Sequence, residues 1–166
     1  MPSSVVVQID DLSSRDTQEL VAGHLAGMHG NTPAGQVHAL AIESLRLPDV
    51  TSWTARMSGV LCGCGALKEL DSTSGEVKSM RTRSAYMNRG VAQAVLGEII
   101  RTGHARGYDC LYLETGTGPA FEAAHALYKK NGFSWCSAFS DYKPTEFNVF
   151  MAKPLTPSRS AASRSS

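Results

Sequence analysis

The segment RSAYMNRGVA, Arg83 to Ala92, has the residue types of an anion-binding loop. It follows a strand-like run and leads into a strong helical pattern. The first turn of such a helix presents N–H groups without intrahelical partners at the positive end of the macrodipole, and so can hold a phosphate. Gly90 lets a ligand approach the backbone, Ala92 is too small to block it, and Arg89 adds a charge. Lys78, Arg81, Arg83 and Arg89 make Lys78 to Arg89 the only dense basic stretch of the chain. The same residues also suit a loop whose glycine merely caps a core helix, and the local sequence leaves the two readings open. Gly116-Thr117-Gly118 begins like the dinucleotide fingerprint G-x-G-x-x-G, but Phe121 stands where the third glycine belongs. A phenylalanine is too large for close helix–strand packing there, so a nicotinamide oxidoreductase is set aside. Cys62 and Cys64, separated by Gly63, suit neither the usual zinc spacings nor a redox C-x-x-C. With Cys110 and Cys136 they read as reduced, mostly buried thiols.

Periodicity supplies the scaffold for these residues. Val5 to Ile9 reads as a first strand. Asp16 and Thr17 open a helix whose face carries Leu20, Val21, His24, Leu25 and Met28, with His24 read as a core histidine. Gly30 to Gly35 breaks it, and a weaker helical pattern through Val37, Leu40, Ala41 and Leu45 ends at Pro48. Val50 to Met57, Val60 to Leu70 and Glu76 to Thr82 then read as an antiparallel meander, with turns at Ser58-Gly59 and Asp71 to Gly75. Gly63 and Gly65 in its middle strand signal a bulge or a close approach. Val91, Ala92, Val95, Leu96, Ile99 and Ile100 form a helical stripe that Gly107 stops. Cys110 to Glu114 is a nearly continuous apolar strand, as expected for one covered on both faces. Phe121, Ala124, Leu127 and Tyr128 mark another helix, ended by Asn131-Gly132, and Phe133 to Phe139 and Phe147 to Ala152 close the chain as strands. The order is β-α-α-β-β-β-α-β-α-β-β. Its second half implies right-handed crossovers, with ligands outside the carboxyl ends of the strands. Residues 1–155 are expected to form one domain, and the tail 156–166, TPSRSAASRSS, to be disordered.

The anion loop resembles the acetyl-CoA motif of the GNAT N-acetyltransferase superfamily, Q/R-x-x-G-x-G/A between a strand and a helix. Gly90 and Ala92 match it, while Met87 replaces the usual Gln or Arg. The contacts of that motif are mainly backbone N–H groups, so the replacement removes one polar side chain. A second stretch, AHALYKKNGF from Ala124 to Phe133, is similar to the family's A-x-x-L-Y-x-x-x-G-F signature at Ala124, Leu127, Tyr128, Gly132 and Phe133. Phe121 stands where an Asn that helps hold the pantetheine arm is common. Either motif alone is weak; together, on the right elements, they are specific. The resemblance implies the acyl-CoA N-acyltransferase fold, an α/β (α+β) architecture. Its mixed, mostly antiparallel central sheet has six to seven strands and is flanked by about four helices.

It also implies an acetyltransferase that takes acetyl-CoA as cosubstrate and a primary amine of a small molecule or peptide as acceptor, by direct attack in a ternary complex. Met87, Asn88, Arg89, Gly90, Val91 and Ala92 are then expected at the pyrophosphate. The main chain of Met80, Arg81 and Thr82 would pair with the pantetheine like an added strand, near Phe121 and Tyr128. An amine of pKa about 10.4 costs about 4.6 kcal/mol to present in neutral form at pH 7, so a proton acceptor or a depressed amine pKa is required. Glu76 is the candidate base, since some members carry a catalytic Glu four residues before the strand end that contacts the cofactor. Strand alternation would put Glu76, Lys78, Met80 and Thr82 on one face. A solvated carboxylate at a strand start is the plain alternative for Glu76, and Glu114 or a chain of waters the other candidates for the base. Tyr128 is the candidate general acid, its proton going to the departing thiolate at a cost of roughly 2 kcal/mol. Its alternative role is packing.

Composition is consistent with this. The 166 residues are 42% hydrophobic and 19% charged with a net charge of +1, which is globular and lacks the basic excess of a nucleic-acid binder. The start is not expected to act as a signal peptide, no apolar run is long enough for a membrane span, and a cytoplasmic enzyme is expected, with monomer and homodimer both open. The acceptor is not specified; His29, Thr32, His38, Lys68, Glu69 and Tyr142 are polar candidates. A non-catalytic acyl-CoA-binding regulatory module with the same fold is the alternative function, and Tyr128 argues against it.

Overall fold

Alternating and β-branched runs form the strands, and glycines at positive φ punctuate them. The computed structural model describes residues 4–26, 42–140 and 142–155. In chain order these form β1 (Val5–Ile9), α1 (Arg15–Ala26), β2 (Val50–Met57), β3 (Val60–Asp71), β4 (Ser74–Thr82), α2 (Val91–Ala105), β5 (Cys110–Gly116), α3 (Glu122–Lys130), β6 (Ser134–Cys136) and β7 (Asn148–Pro154). Residues 42–45 are also helical. Single 3-10 turns at Ser84–Tyr86 and Pro119–Phe121 precede α2 and α3. Among the described residues the elements come in the expected order. The Gly30 to Gly35 break, the pattern through Val37, Leu40 and Ala41, the polar candidates His29, Thr32 and His38, and the tail from Thr156 lie outside the described residues.

The strands form one seven-stranded sheet in the order β1-β2-β3-β4-β5-β7-β6, mostly antiparallel, with β4 and β5 parallel. The order agrees with the mixed sheet expected of the acyl-CoA N-acyltransferase fold. By contact density the chain divides into two units, Met1–Lys68 with Lys78–Ile99, and Glu69–Val77 with Ile100–Ser166. No helix among the described residues is long and apolar enough to cross a membrane.

In the first unit, Leu12 ahead of α1, Val21 of α1, and Ile42 and Leu45 form a core cluster with Cys64 and Ala66 of β3. Helix α1 begins where Ser14 Oγ bonds Asp16 Oδ1 (2.7 Å), which also accepts from Thr17 N–H (2.7 Å). The stripe of α2 is buried at Val91, Val95, Leu96 and Ile99. The two glycines of β3 show why a close approach was expected. A Cβ at Gly63 would lie 2.7 Å from the Arg81 carbonyl oxygen and 2.8 Å from Val91 Cγ1, and one at Gly65 2.6 Å from Val95 Cγ1 and 2.7 Å from Met80 Sδ. A bulge is present as well: the β2–β3 register passes from Ala55↔Gly63 to Arg56↔Leu61, so Cys62 is the extra residue.

In the second unit, Glu76 and Val77 of β4 sit beside Tyr112 and Leu113 of β5, and β7 bridges β5 and β6. Leu111 and Leu113 are fully buried, and Gly103 of α2 lies against Leu111 and Leu155. The period of two turns Tyr112 and Glu114 to the opposite face. Gly107 (φ 80°) and Gly132 (φ 97°) follow α2 and α3 in the left-handed conformation expected of helix stops. Strand β6 is shorter than Phe133 to Phe139, because the chain leaves the ladder after Cys136 and folds Phe139 onto the ring of Tyr112.

Candidate active site

The loop between β4 and α2 has the geometry of an anion cradle. Arg83 continues the pairing beyond β4, with its N–H on the Cys62 carbonyl (2.8 Å) and its Nη1 on the Leu61 carbonyl (3.2 Å). After the 3-10 turn, Asn88 (φ 62°) and Gly90 (φ 83°) both take left-handed backbone conformations. Gly90 caps α2, whose first internal bond is Ala94 N–H to the Gly90 carbonyl (3.0 Å). The amides of the first turn come ahead of the i to i−4 ladder of this 15-residue helix and form its positive end. As a cap, Gly90 brings no side chain to occupy them. Nothing lies within 4 Å of where a Gly90 Cβ would stand. Residues 87–90 are exposed, and the Arg89 guanidinium lies 5.5 Å from the ring centre of Tyr86. This open, amide-rich turn fits a pyrophosphate.

Strand β4 departs from the simple alternation. Ser79 has φ 56°, which interrupts the pleat, so Glu76 and Met80 do not share one face. Met80 Sδ packs beside Val95 and Ile99 around Gly65, whereas Glu76 neighbours Tyr112, on the face away from Leu111 and Leu113. Cys64 Sγ donates to the Ser79 carbonyl (3.4 Å), and burial pushes that thiol up to about 12.

Glu76 is not a solvated carboxylate at a strand start. Strand β4 begins at Ser74, and Glu76 is 3% exposed. Its Oε2 accepts a hydrogen bond of 2.5 Å from the Tyr142 hydroxyl. Burial first, then the bond to Glu76 and the charges of Glu76 and Glu114, push the Tyr142 phenol up, so it remains a donor throughout the working pH range. Tyr142 belongs to a group of rings with Phe139 (5.1 Å), Phe150 (5.8 Å) and, through Phe139, Tyr112 (5.0 Å). Glu114, the other carboxylate considered, accepts from Asn148 Nδ2 (2.8 Å).

Tyr128 is buried on α3, its ring edge-on to Phe133 at 5.8 Å, and its carbonyl accepts from the Phe133 N–H (3.0 Å). Burial alone pushes its phenol up to about 12. Phe121 ends the turn before α3 and its ring lies against Gly116, where a Cβ would run into it.

Among the acceptor candidates, Tyr142 is brought to Glu76, whereas Glu69 accepts from the Tyr108 hydroxyl (2.8 Å) and Lys68 faces Val50 in the β2–β3 ladder. Reading by motif missed the ring group of Tyr112, Phe139 and Phe150. The alternation of β5, which turns Tyr112 and Glu114 to one face, was the available signal. All four cysteines are free thiols, Cys62 and Cys64 buried and Cys110 and Cys136 half-buried.

The sequence pattern of the acetyltransferase (GNAT) family matches residues 15–133. The chain is 46% identical over 149 residues to the uncharacterised N-acetyltransferase YsnE of Bacillus subtilis, which covers 90% of this chain and 99% of that protein. It is 42% identical over 149 residues to the uncharacterised N-acetyltransferase YedL of Escherichia coli, over 90% of this chain and 94% of that one. A solved structure from Klebsiella pneumoniae, described as an acyl-CoA N-acyltransferase, superposes with a TM-score of 0.75 at 25% identity, over 92% of this chain and 98% of that one. The paired Gly90–Ala92 and Ala124–Phe133 motifs and these likenesses agree: the chain is an acetyltransferase of the GNAT family.

Proposed function

We propose that the enzyme transfers an acetyl group from acetyl-CoA to a primary amine of a small molecule or peptide by direct attack. The observation that carries the cosubstrate is the turn at Asn88 and Gly90, which opens the positive end of α2 beside the exposed Arg89. In this reading residues 87–92 hold the pyrophosphate through backbone amides, and the main chain of Met80 to Thr82 pairs with the pantetheine. Phe121 takes the place of a polar contact to the same arm. Bound acetyl-CoA supplies an acetyl group activated as a thioester.

Glu76 is the base. Its carboxylate takes the proton the amine must lose as nitrogen bonds to the acetyl carbon and the carbon–sulfur bond breaks. Tyr128 gives its proton to the departing sulfur, so the products are an amide and a free thiol. With its phenol at about 12, Tyr128 faces a thiol of pKa about 8.5 across a gap of about 5 kcal/mol. Stepwise protonation would be slow against that gap, so transfer accompanies sulfur departure. A buried thiolate is also a stronger base than one in water, which narrows the gap.

Thermal shift with acetyl-CoA and with NAD tests the cosubstrate. Acetyl-CoA at 100 times its dissociation constant adds about 2.7 kcal/mol to stability. Stabilisation by NAD alone would refute the reading. A thiol-release assay over a panel of free amino acids, phenethylamine and dipeptides tests the transfer. Cosubstrate binding without turnover on any amine would favour a non-catalytic module.

A further inference from the structure

We infer that Tyr142 is a positioning residue for acetyl transfer, holding the Glu76 carboxylate in the orientation that receives the amine proton. The inference rests on the reading of Glu76 as the base.

A glutamate needs such a partner. The last torsion of its side chain is broad and nearly two-fold, so packing along the chain does not by itself fix where the two oxygens point. Tyr142 supplies a donor to Oε2 at 2.5 Å, from a position 66 residues further along the chain. Burial and the neighbouring charges of Glu76 and Glu114 keep that phenol protonated, so the bond is not lost in the range where amines are acetylated.

The donor is itself held in place. Between β6 and β7, Ser140 turns the chain with φ 54°, and Tyr142 N–H closes the turn on the Phe139 carbonyl (3.1 Å). Phe139 stacks on Tyr112 with the ring planes 22° apart and meets Phe150 edge-on at 5.6 Å, and Tyr142 leans on both Phe139 and Phe150. Tyr112 is the β5 neighbour of Glu76, and Phe150 is the β7 neighbour of Glu114. The rings thus clamp the turn onto the same sheet face that carries the two carboxylates. The hydroxyl is then delivered to Glu76 by groups that have no chemistry of their own. Tyr142→Phe removes the oxygen and leaves every ring contact, so it separates the donor from the clamp.

The test is a double-mutant cycle with Tyr142→Phe and Glu76→Gln, read as thiol release from acetyl-CoA with the fastest amine of the panel, each variant first shown to be folded by circular dichroism and its melting temperature. Tyr142→Phe is expected to lower kcat about 10-fold with little change in the KM for acetyl-CoA, and to have no further effect once Glu76 is Gln. Tyr142→Leu, which also opens the ring clamp, should lose more than Tyr142→Phe. A merely structural tyrosine would slow both backgrounds by the same factor, and that result overturns the inference. So does a folded Tyr142→Phe with normal kcat beside a slow Glu76→Gln, which would show that the base works without the bond from Tyr142. Normal turnover in Glu76→Gln overturns the base itself and the inference with it.

Discussion

Gly63→Ala adds a single carbon and is expected to destabilise the protein while weakening its hold on acetyl-CoA. Glycine in a strand interior carries an entropic penalty of roughly 0.5–1 kcal/mol relative to alanine, so an unobstructed change would be stabilising. Here the new Cβ would stand 2.7 Å from the Arg81 carbonyl oxygen and 2.8 Å from Val91 Cγ1. The first of these is backbone and the second a stiff β-branched side chain at the start of α2, so neither yields by rotating. Relief requires β3 to move from β4, or α2 to lift, by several tenths of an ångström. Overpacking of this kind costs about 1–3 kcal/mol, which outweighs the entropic gain. Net of that gain the loss is about 1–2 kcal/mol, which for a chain of this size corresponds to a melting temperature lower by about 2–8 °C. The displaced carbonyl belongs to the Met80 to Thr82 stretch assigned to the pantetheine, so the stabilisation of the variant by acetyl-CoA should fall as well. Urea unfolding and thermal scans with and without acetyl-CoA measure both effects. An alanine variant as stable as the parent would refute the packing argument. A destabilised variant with undiminished acetyl-CoA affinity would separate that stretch from the cosubstrate.

Gly90→Val should weaken acetyl-CoA binding at least about 10-fold by calorimetry, because φ at Gly90 is 83° and a β-branched residue there costs about 1–2 kcal/mol or forces the amides to turn. Tyr128→Phe should lower turnover about 100-fold with little change in acetyl-CoA affinity, and near-normal turnover would leave the tyrosine only its packing against Phe133. The Asp16–Arg56 pair gives a pH-dependent term. The Arg56 guanidinium, followed by the Ser14 hydroxyl, holds the Asp16 carboxyl down at about 2. Its stabilisation is therefore present above about pH 4 and lost as the pH falls towards 2. Asp16 has 43% of its side chain exposed, which limits the contribution to about 0.5–1 kcal/mol. Arg56→Met should cost that much at pH 7 and progressively less as the pH falls through about 2, as followed by urea unfolding.

The parts of this enzyme that were legible in its sequence are those set by neighbours along the chain. Gly107 and Gly132 announce the ends of α2 and α3 because a left-handed residue is needed after a helix, and both have it. The stripe from Val91 to Ile99 announces a helix against a sheet, and Gly63 and Gly65 announce the surface it presses on. The glycine-opened loop before α2 was visible for the same reason, since a glycine at a helix start is a local signal. Glu76 could be singled out only by resemblance, and its surroundings were not foreseen. Local pattern reads a carboxylate after Ser74-Gly75 as the edge of a turn, whereas β4 already begins at Ser74 and the side chain is buried beneath a tyrosine from the β6–β7 connection.

The least legible residue is Ser79, and it bears most directly on how the site is built. Alternation alone would carry Glu76 and Met80 on one face, setting the candidate base on the side of a methionine that packs with α2. The left-handed conformation at Ser79 adds one step to the pleat, so that Met80 closes against Val95 and Ile99 while Glu76 turns to Tyr142 and the rings. A serine gives no warning of this, because positive φ is uncommon for it and nothing in its side chain requires it. The conformation is stabilised from outside, by the Cys64 thiol on the Ser79 carbonyl and by the packing of Met80 into the space left at Gly65. Gly65 therefore does two things at once: it admits α2 to the sheet, and it makes room for the methionine whose placement depends on the irregular strand. A regular β4 would put the methionine on the opposite face and leave that space to be filled from elsewhere.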